Sequence, residues 1–595
     1  MCGIIGYVGQ KDAVPIILEG LKKLEYRGYD SAGIAVLNSD GFEILKQKGR
    51  IAELEAELSN HKMAGHTGIG HTRWATHGEP SKINSHPHLG SGSKVAIVHN
   101  GIIENYKQLK ERLEQKGVCF ASQTDSEVIA QLAEHYYKGD LLDTVSKVSS
   151  MLEGSFALGI MCVDDPDTLV AVKKDNPLII GVSEHGNFIA SDVPAVLQHT
   201  NQIYYFEDKE IAVLRHDSVS FYTPDCEPIK KQLDTVTWSI DSAEKGGYEH
   251  FMFKEIMEQP KVLRDTISSD ENLRLIETID IRQFNKIVIT ACGSANNAGV
   301  VARYVFESLC RISVEVELAS EFRYKNPIID KNTLVILISQ SGETADTIAA
   351  MREAKAKGAT TLGIVNVIGS TIAKEVDVCL LTRAGPEIAV ATTKAFSTQL
   401  VVLYLLAIRF AKTLGKSDAK LLEELNTLPD KVAEILEQVD DIQKYASTCT
   451  GYKSIFFIGR NIDYAISLEG SLKLKEISYI HSEAYAGGEL KHGTIALIEE
   501  NTLVVALSNC RELFSKMVSN VEQVLSRDAK VLLIGNNPEL QETEQLSVIR
   551  IPTCHELFSP SLSAVVMQLF SYYIAANKGL DIDKPRNLAK SVTVE

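Results

Sequence analysis

The strongest constraint on the fold of this 595-residue chain is an internal repeat. The segment NTLVILISQS at 332–341 returns 169 residues later as NTLVVALSNC at 501–510. FSTQL at 396–400 returns at the same offset as VVMQL, and KIVITACG from Lys286 resembles KSIFFIG from Lys453 at nearly that offset. Three matches in one order mean two copies of one unit. Fully apolar runs such as 286–291, 334–338 and 361–365 alternate there with long helical patterns. Strands apolar on both faces belong to parallel sheets covered by helices on both sides. The expected architecture is therefore two doubly wound parallel α/β domains at 281–420 and 451–585. A helical connector is expected at 421–450 and a short C-terminal tail at 586–595.

Residues 1–225 have a different texture. Short apolar runs at 94–99, 156–163, 168–172 and 211–214 are broken by Gly, Asn and Asp, and helical patterns cover 13–24 and 126–137. This reads as a domain of many strands with a few helices. A polar connector follows over 226–280, with one helix expected from Phe251 to Ser268. The net charge of −17 disfavours a nucleic-acid partner, which needs clustered Lys and Arg, but leaves room for a local phosphate pocket. Ten cysteines with no CxxC pair suggest a reducing, cytoplasmic setting rather than a disulfide or zinc framework. No signal peptide is evident, and the most apolar run, Leu400 to Ile408, is too short to span a bilayer.

Several segments carry chemistry. If Met1 is removed, Cys2 holds both a thiol and a free α-amine, whose pKa near 7.7–8.0 suits a general base beside its own nucleophile. A buried structural cysteine is the alternative. Ser339-Gln340-Ser341-Gly342-Glu343-Thr344 follows a buried strand and precedes a helix expected near Ala345. Hydroxyls and N–H groups there form either a phosphate cradle or a simple helix cap. No Lys lies in the loop, so it is not a nucleotide P-loop. The second copy reads Ser508-Asn509-Cys510-Arg511-Glu512, which suggests one phosphate site and a supporting role for that copy. Lys473 and Glu476 are three apart on one helical face, either as a surface pair or as catalytic groups. His492 and Glu489 are suited to acid–base work. Seven of the 15 histidines lie between His61 and His99, yet no zinc-ligand spacing is present, so neither metal nor other cofactor is expected.

Taken together, Cys2-Gly3-Ile4, YRGYDSAG from Tyr26, HTRWATHG from His71 and HNGIIEN from His99 resemble the class II, N-terminal-cysteine glutamine amidotransferases. The later half resembles a pair of sugar isomerase (SIS) domains. Both in this order, over essentially the whole chain, resemble the glutamine–fructose-6-phosphate aminotransferase (isomerizing) family. The resemblance implies a four-layer αββα N-terminal-nucleophile hydrolase domain ahead of the two SIS domains. It implies L-glutamine and fructose 6-phosphate as substrates, glucosamine 6-phosphate as product, and a homodimer. Cys2 would form a thioester. Arg27, Arg73, Thr76, His77 and Asp125 would grip glutamine, Asn100 and Gly101 would form the oxyanion hole, and Trp74 would gate an internal ammonia channel. Ser294, Ser339, Gln340, Ser341, Thr344, Val390, Thr392 and Ala589 would hold the sugar phosphate. Lys590 would form a Schiff base with the ketone, and His492, from the partner subunit, would open the ring. Glu476 would move a proton between C1 and C2, assisted by Lys473.

Two positions depart from the family pattern. Ala295 stands where a hydroxyl is usual, and Thr392 where a serine is usual; one lost neutral hydrogen bond weakens binding by about 0.5–1.5 kcal/mol. A glutaminase whose sugar half only senses a phosphosugar is the competing reading. A sensor needs no acid, base or imine lysine, so Glu476, His492 and Lys590 together argue against it. An amidotransferase acting on phosphoribosyl pyrophosphate would need a single transferase domain rather than a repeat.

Overall fold

A computed structural model describes residues 2–236, 245–416 and 419–593. The chain divides into two compact units, Met1–Ala243 with Ala589–Glu595, and Glu244–Leu588. In the first unit, β1 (Gly3–Gly9) runs inside an eight-stranded antiparallel sheet, between β2 (Thr67–Arg73) and the strand Gly186–Ala190. A second, seven-stranded antiparallel sheet contains β3 (Val95–Ile103). Alternate residues of a strand face opposite ways. On β1, Ile5 and Tyr7 pack with the helix Ala13–Leu24, while Ile4 and Val8 enter the core between the sheets. On β3, Ala96 and Val98 face that same inter-sheet core, and Val95 and Ile97 pack outward with the helices Glu127–Tyr136 and Leu141–Met151. The layers are therefore helix, sheet, sheet, helix. Truncating a fully buried residue such as Ile5 to Ala costs about 2–5 kcal/mol. The C-terminal tail docks on this unit, where Thr593 Oγ1 donates to Asn176 Oδ1 at 3.1 Å.

The second unit holds both copies of the repeat. The first copy consists of β4 (Lys286–Ala291), β5 (Ser313–Leu318), β6 (Thr333–Ser339), β7 (Thr360–Val365) and β8 (Val378–Leu381), all parallel in the order β5-β4-β6-β7-β8. The second copy repeats this with β9 (Ser454–Gly459), β10 (His481–Ala486), β11 (Leu503–Ser508), β12 (Lys530–Gly535) and β13 (Leu546–Ile549), in the order β10-β9-β11-β12-β13. The helices used below are α1 (Gly293–Cys310), α2 (Ala345–Ala356), α3 (Lys394–Thr413), α4 (Ile462–Ser478), α5 (Phe514–Leu525) and α6 (Ser559–Asn577). One core, including Phe306, Phe396, Phe457 and Phe570, runs through both copies.

Three expectations need correction. The helix expected over 251–268 is two helices, Phe251–Met257 and Gln259–Ile267. Pro260 cannot donate the backbone hydrogen bond a continuous helix needs. The segments read as connectors also contribute to the core. Met252, Ile256, Leu263 and Ile276 from one, and Leu425, Leu428, Val432, Ile435 and Ile442 from the other, are buried in the shared cluster. Within a helix these residues share one face, as Met252 and Ile256 do four apart and Leu428, Val432 and Ile435 do at spacings of four and three, so polar composition concealed apolar stripes. Finally, Leu400–Ile408 is the middle of the 20-residue α3, which is long and apolar enough to cross a membrane. It lies almost wholly buried inside the unit, as does the 22-residue apolar segment Glu556–Asn577.

After β6 the chain turns through Gly342, whose φ is +66°. A Cβ there would stand 2.0 Å from Ser370 Oγ. Both the left-handed backbone and the close approach therefore demand glycine. We expect Gly342→Ala to destabilise the protein by about 1 kcal/mol or more, read by urea unfolding; an unchanged midpoint would contradict this account of the turn.

Candidate functional site

In the N-terminal unit the sheet register assembles the site. Gly3 pairs with Thr72, and Ser31 with Arg73, so the start of β1 meets the end of β2. Cys2 therefore sits at the first residue of the 74–80 loop. Trp74 N–H donates to Cys2 Sγ at 3.2 Å, and the thiol reaches Trp74 O at 3.5 Å. Burial pushes the Cys2 thiol up from its ordinary value, while the Trp74 N–H and the Arg73 charge pull it back. Asn100, on β3, donates through Nδ2 to Cys2 O and to Ser191 Oγ, each at 2.9 Å. Ser191 Oγ also accepts Ile4 N–H at 2.8 Å, which ties β1, β3 and the 191 turn together. Gly101 has a φ of +128°, and a Cβ there would stand 2.0 Å from Ser155 O.

Arg73 is buried and shapes the loop beside Cys2. Its guanidinium donates to the carbonyls of His77, Gly78 and Glu79, the last two at 2.9 and 3.3 Å. Ala75 N–H donates to Asp30 at 2.8 Å, closing the loop's near end. Thr76 is exposed, and the His77 ring packs edge-on against Tyr106. Trp74 is half-buried and meets Tyr29 edge-on at 5.5 Å. Asp125 is buried and accepts Ile103 N–H at 2.9 Å. Arg27 differs from the others: its guanidinium is buried against Asp192 at 2.7 Å and Tyr26 Oη at 3.3 Å. That pairing braces the chain behind the site. Asp30 lies within the YRGYDSAG motif but was given no role there, and Ser191 lies in no motif, so nothing in the sequence alone marked it.

Behind these residues lie four buried histidines. His71 and His86 lie 4.0 Å apart between ring centroids with their planes tilted by 40°, and His88 and His99 are beside them. His71 Nε2–H donates to His99 O at 3.0 Å, just before Asn100. Among the described residues no group of His, Cys, Asp or Glu is arranged to hold a metal ion. Burial pushes His71 down to about 3 and His86 and His88 well below their ordinary value. Folded His71 thus stays neutral where the unfolded chain binds a proton. Its contribution to stability is complete above about pH 6.5 and is lost progressively from there down to about pH 3, by up to about 1.4 kcal/mol per pH unit. We expect unfolding free energy to fall as pH drops from 7 to 5, and His71→Gln to flatten that slope. A slope unchanged by the substitution would contradict the assignment.

In the second unit, the hydroxyl loop lies between β6 and α2, which starts at Ala345 as expected. Ser339 Oγ lies 3.0 Å from Thr344 Oγ1 and accepts Gly342 N–H at 3.0 Å; Ser341 Oγ accepts Glu343 N–H at 3.1 Å. Thr344, at the N-cap of α2, makes no side-chain capping bond, and the start of a helix beside hydroxyls is where an anion binds. Gln340 O accepts Asn366 N–H, which fixes the loop to the end of β7. Thr392 instead donates to Glu387 at 2.6 Å, and Glu387 also accepts the N–H groups of Thr393 and Ala395 at the start of α3. Val390 N–H donates to Asp583 O. Ala295 packs at the edge of the core.

Ser294 joins a different group. Its hydroxyl donates to Glu469 at 2.8 Å and accepts from Lys473 at 3.2 Å. Lys473 Nζ lies 3.3 Å from Glu469 and 2.8 Å from Glu476, and Asn297 Nδ2 donates to Glu469 at 2.9 Å. Burial alone would lower the Lys473 pKa, but the two carboxylates outweigh it and keep the ammonium charged. Burial raises Glu469, partly offset by Lys473. Glu476 keeps 20% of its side chain exposed, whereas Lys473 and Glu469 keep 1% and 2%. Glu476 is thus the one that can meet a substrate. Glu469 was missed in the sequence, although it stands four residues before Lys473 on the same helix face. His492 is exposed in a short turn, and Ala589 and Lys590 are half-buried in the tail that belongs with the N-terminal unit. We expect Glu469→Gln to lower kcat of the reaction that this cluster serves by about tenfold or more, through loss of a charged partner of Lys473, with KM little changed. An unchanged kcat would remove Glu469 from the site.

A glutamine amidotransferase domain family matches residues 71–198, and the SIS domain family matches 280–409 and 450–578. Along its full length the chain is 54% identical to the glutamine–fructose-6-phosphate aminotransferase (isomerizing) of Clostridium acetobutylicum, with 100% of both chains covered. It is 46% identical to the protein of that name from Methanosarcina acetivorans, again with 100% of both covered. The solved C-terminal domain of a glucosamine-fructose-6-phosphate aminotransferase from Francisella tularensis superposes with a TM-score of 0.55 at 37% identity, covering 57% of this chain and 99% of that one.

Proposed function

The chain belongs to the glutamine–fructose-6-phosphate aminotransferase (isomerizing) family, and from that premise we propose how its residues divide the work. The enzyme transfers the amide nitrogen of L-glutamine to D-fructose 6-phosphate and isomerises the product, giving D-glucosamine 6-phosphate and L-glutamate. The observation that carries the assignment is full-length identity at 45–54% to eight proteins of that name, spanning both kinds of domain.

With Met1 removed, the Cys2 sulfur attacks the glutamine amide carbonyl. The Cys2 α-amine takes the thiol proton and returns it to the departing ammonia, and water then hydrolyses the thioester to glutamate. Asn100 and Gly101 stabilise the oxyanion. The Cys2–Trp74 and Asn100–Cys2 hydrogen bonds support this reading. For Asn100 to serve, its amide must give up one of its two present acceptors. Arg73, Thr76, His77 and Asp125 hold glutamine's charged ends, while Arg27 acts as a brace through Asp192. Ammonia must reach the sugar unprotonated, because ammonium has no lone pair; Trp74 is the proposed gate.

At the sugar, His492 of the partner subunit in a homodimer opens the ring. Lys590 condenses with the C2 ketone, releasing water, and ammonia displaces it. Glu476 then carries a proton from C1 to C2. Lys473, held as an ammonium by its two carboxylates, stabilises the negative charge that develops on oxygen in that step. The loop 339–344 holds the phosphate. Ten free cysteines are consistent with a cytoplasmic setting.

We expect Cys2→Ala to abolish glutamate release, a loss of at least about 10³-fold, while fructose-to-glucose 6-phosphate isomerisation persists. Glutamate release by that variant would refute the nucleophile. Lys590→Ala should stop amino-sugar formation but spare glutaminase activity; unchanged synthesis would remove the imine assignment.

A further inference from the structure

The two copies of the α/β unit share a strand order but not a loop. Where the first copy has its hydroxyls, the second has Ser508-Asn509-Cys510-Arg511, and Phe514 opens α5 where Ala345 opens α2. The loss of hydroxyls alone would suggest an empty scaffold. Instead, a cavity of about 360 Å³ lies at this point, lined by Asn509, Arg511, Asn536, Thr553, Glu556 and Ser559 among others. These residues follow the carboxyl ends of β11, β12 and β13. Open parallel sheets bind ligands in that position, and the volume falls in the range of small-molecule sites.

The loop is built rather than slack. Asp463, buried in the first turn of α4, accepts Asn509 N–H at 2.8 Å, Asn509 Nδ2 at 2.9 Å and Cys510 N–H at 3.3 Å. Asn509 Nδ2 also reaches Ser563 Oγ at 3.3 Å. The amide is thus held from two helices, while its Oδ1 is buried with no partner among the described residues. The loop that carries Arg511 is therefore fixed in place by Asp463 and Ser563. Arg511 projects the one positive charge of the lining, and no described residue hydrogen-bonds its guanidinium. Glu556 supplies a carboxylate across the same cavity. The lining residues include no lysine, so nothing there can form the imine on which amino-sugar synthesis depends.

We propose that this cavity is a second, non-catalytic site for a phosphorylated amino sugar, with phosphate on Arg511 and its ammonium on Glu556. The proposal rests on reading loop 339–344 as the catalytic phosphosugar site, because it treats the second copy as that site's counterpart. Product would then bind twice per chain, once where it is made and once where it is sensed.

The test is equilibrium dialysis of the full-length enzyme with labelled glucosamine 6-phosphate, with inorganic phosphate as competitor. We expect two equivalents per chain. Arg511→Ala should weaken one of them by about tenfold or more, the effect of one charge-assisted contact, and leave initial rates of amino-sugar formation unchanged. Glu556→Gln should weaken the same equivalent, and melting curves should show both variants folded. The double variant Ser341→Ala, Thr344→Ala should instead weaken the other equivalent. One equivalent in the native enzyme, or two unaffected by both cavity variants, would overturn the proposal. If the Ser341, Thr344 variant binds undiminished, the reading of the catalytic loop fails instead. Equal affinity for inorganic phosphate at the cavity would overturn the amino-sugar assignment.

Discussion

One ammonium buried between two carboxylates organises the sugar-binding half. Lys473 and Glu469 come from a helix of the second α/β copy, and Ser294 and Asn297 from the first helix of the other. Burying such charges is unfavourable unless each finds partners, and removing one partner leaves a charge stranded. The two copies must therefore meet in one register, with α1 against α4, for the network to close. That same register leaves Glu476 as the partly exposed member. A structural requirement and a chemical one are met by the same contacts.

In the N-terminal unit the equivalent constraint is strand register. A one-residue slip of β1 against β2 would turn Ile4 and Ile5 to the wrong faces, and it would also carry Cys2 away from Trp74 N–H. The buried histidines extend this logic. They are kept neutral by burial and they pack the ends of β2 and β3 that present Arg73 and Asn100. The chemistry proposed at Cys2 would thus rest on a support that weakens in acid.

Much of this was legible in the sequence, and the reason differs by element. The repeat and its parallel strands were plain because strands buried on both faces read as unbroken apolar runs. The start of α2 was plain because the hydroxyl loop ends there. Cys2, Arg73 and Asn100 stood out because they lie in motifs. What stayed hidden was set by tertiary contact. Glu469 was passed over because its burial against α1 is a contact between the two copies. The helices of 251–277 and 419–447 looked like connectors because each shows only a narrow apolar stripe to the core. Arg27 lies in a motif yet is spent on Asp192, a partner 165 residues away that no local pattern announces. The cavity beyond β11 to β13 was invisible for the same reason, since its lining comes from three separate loops.

The central claim is that glutamine cleavage and amino-sugar synthesis are two halves of one reaction on this chain. The most direct test is glutamate release from glutamine, with and without fructose 6-phosphate, measured alongside glucosamine 6-phosphate. The account requires fructose 6-phosphate to stimulate glutamate release, and amino sugar to appear in equal amount. Glutamate release that ignores fructose 6-phosphate and yields no amino sugar would contradict it.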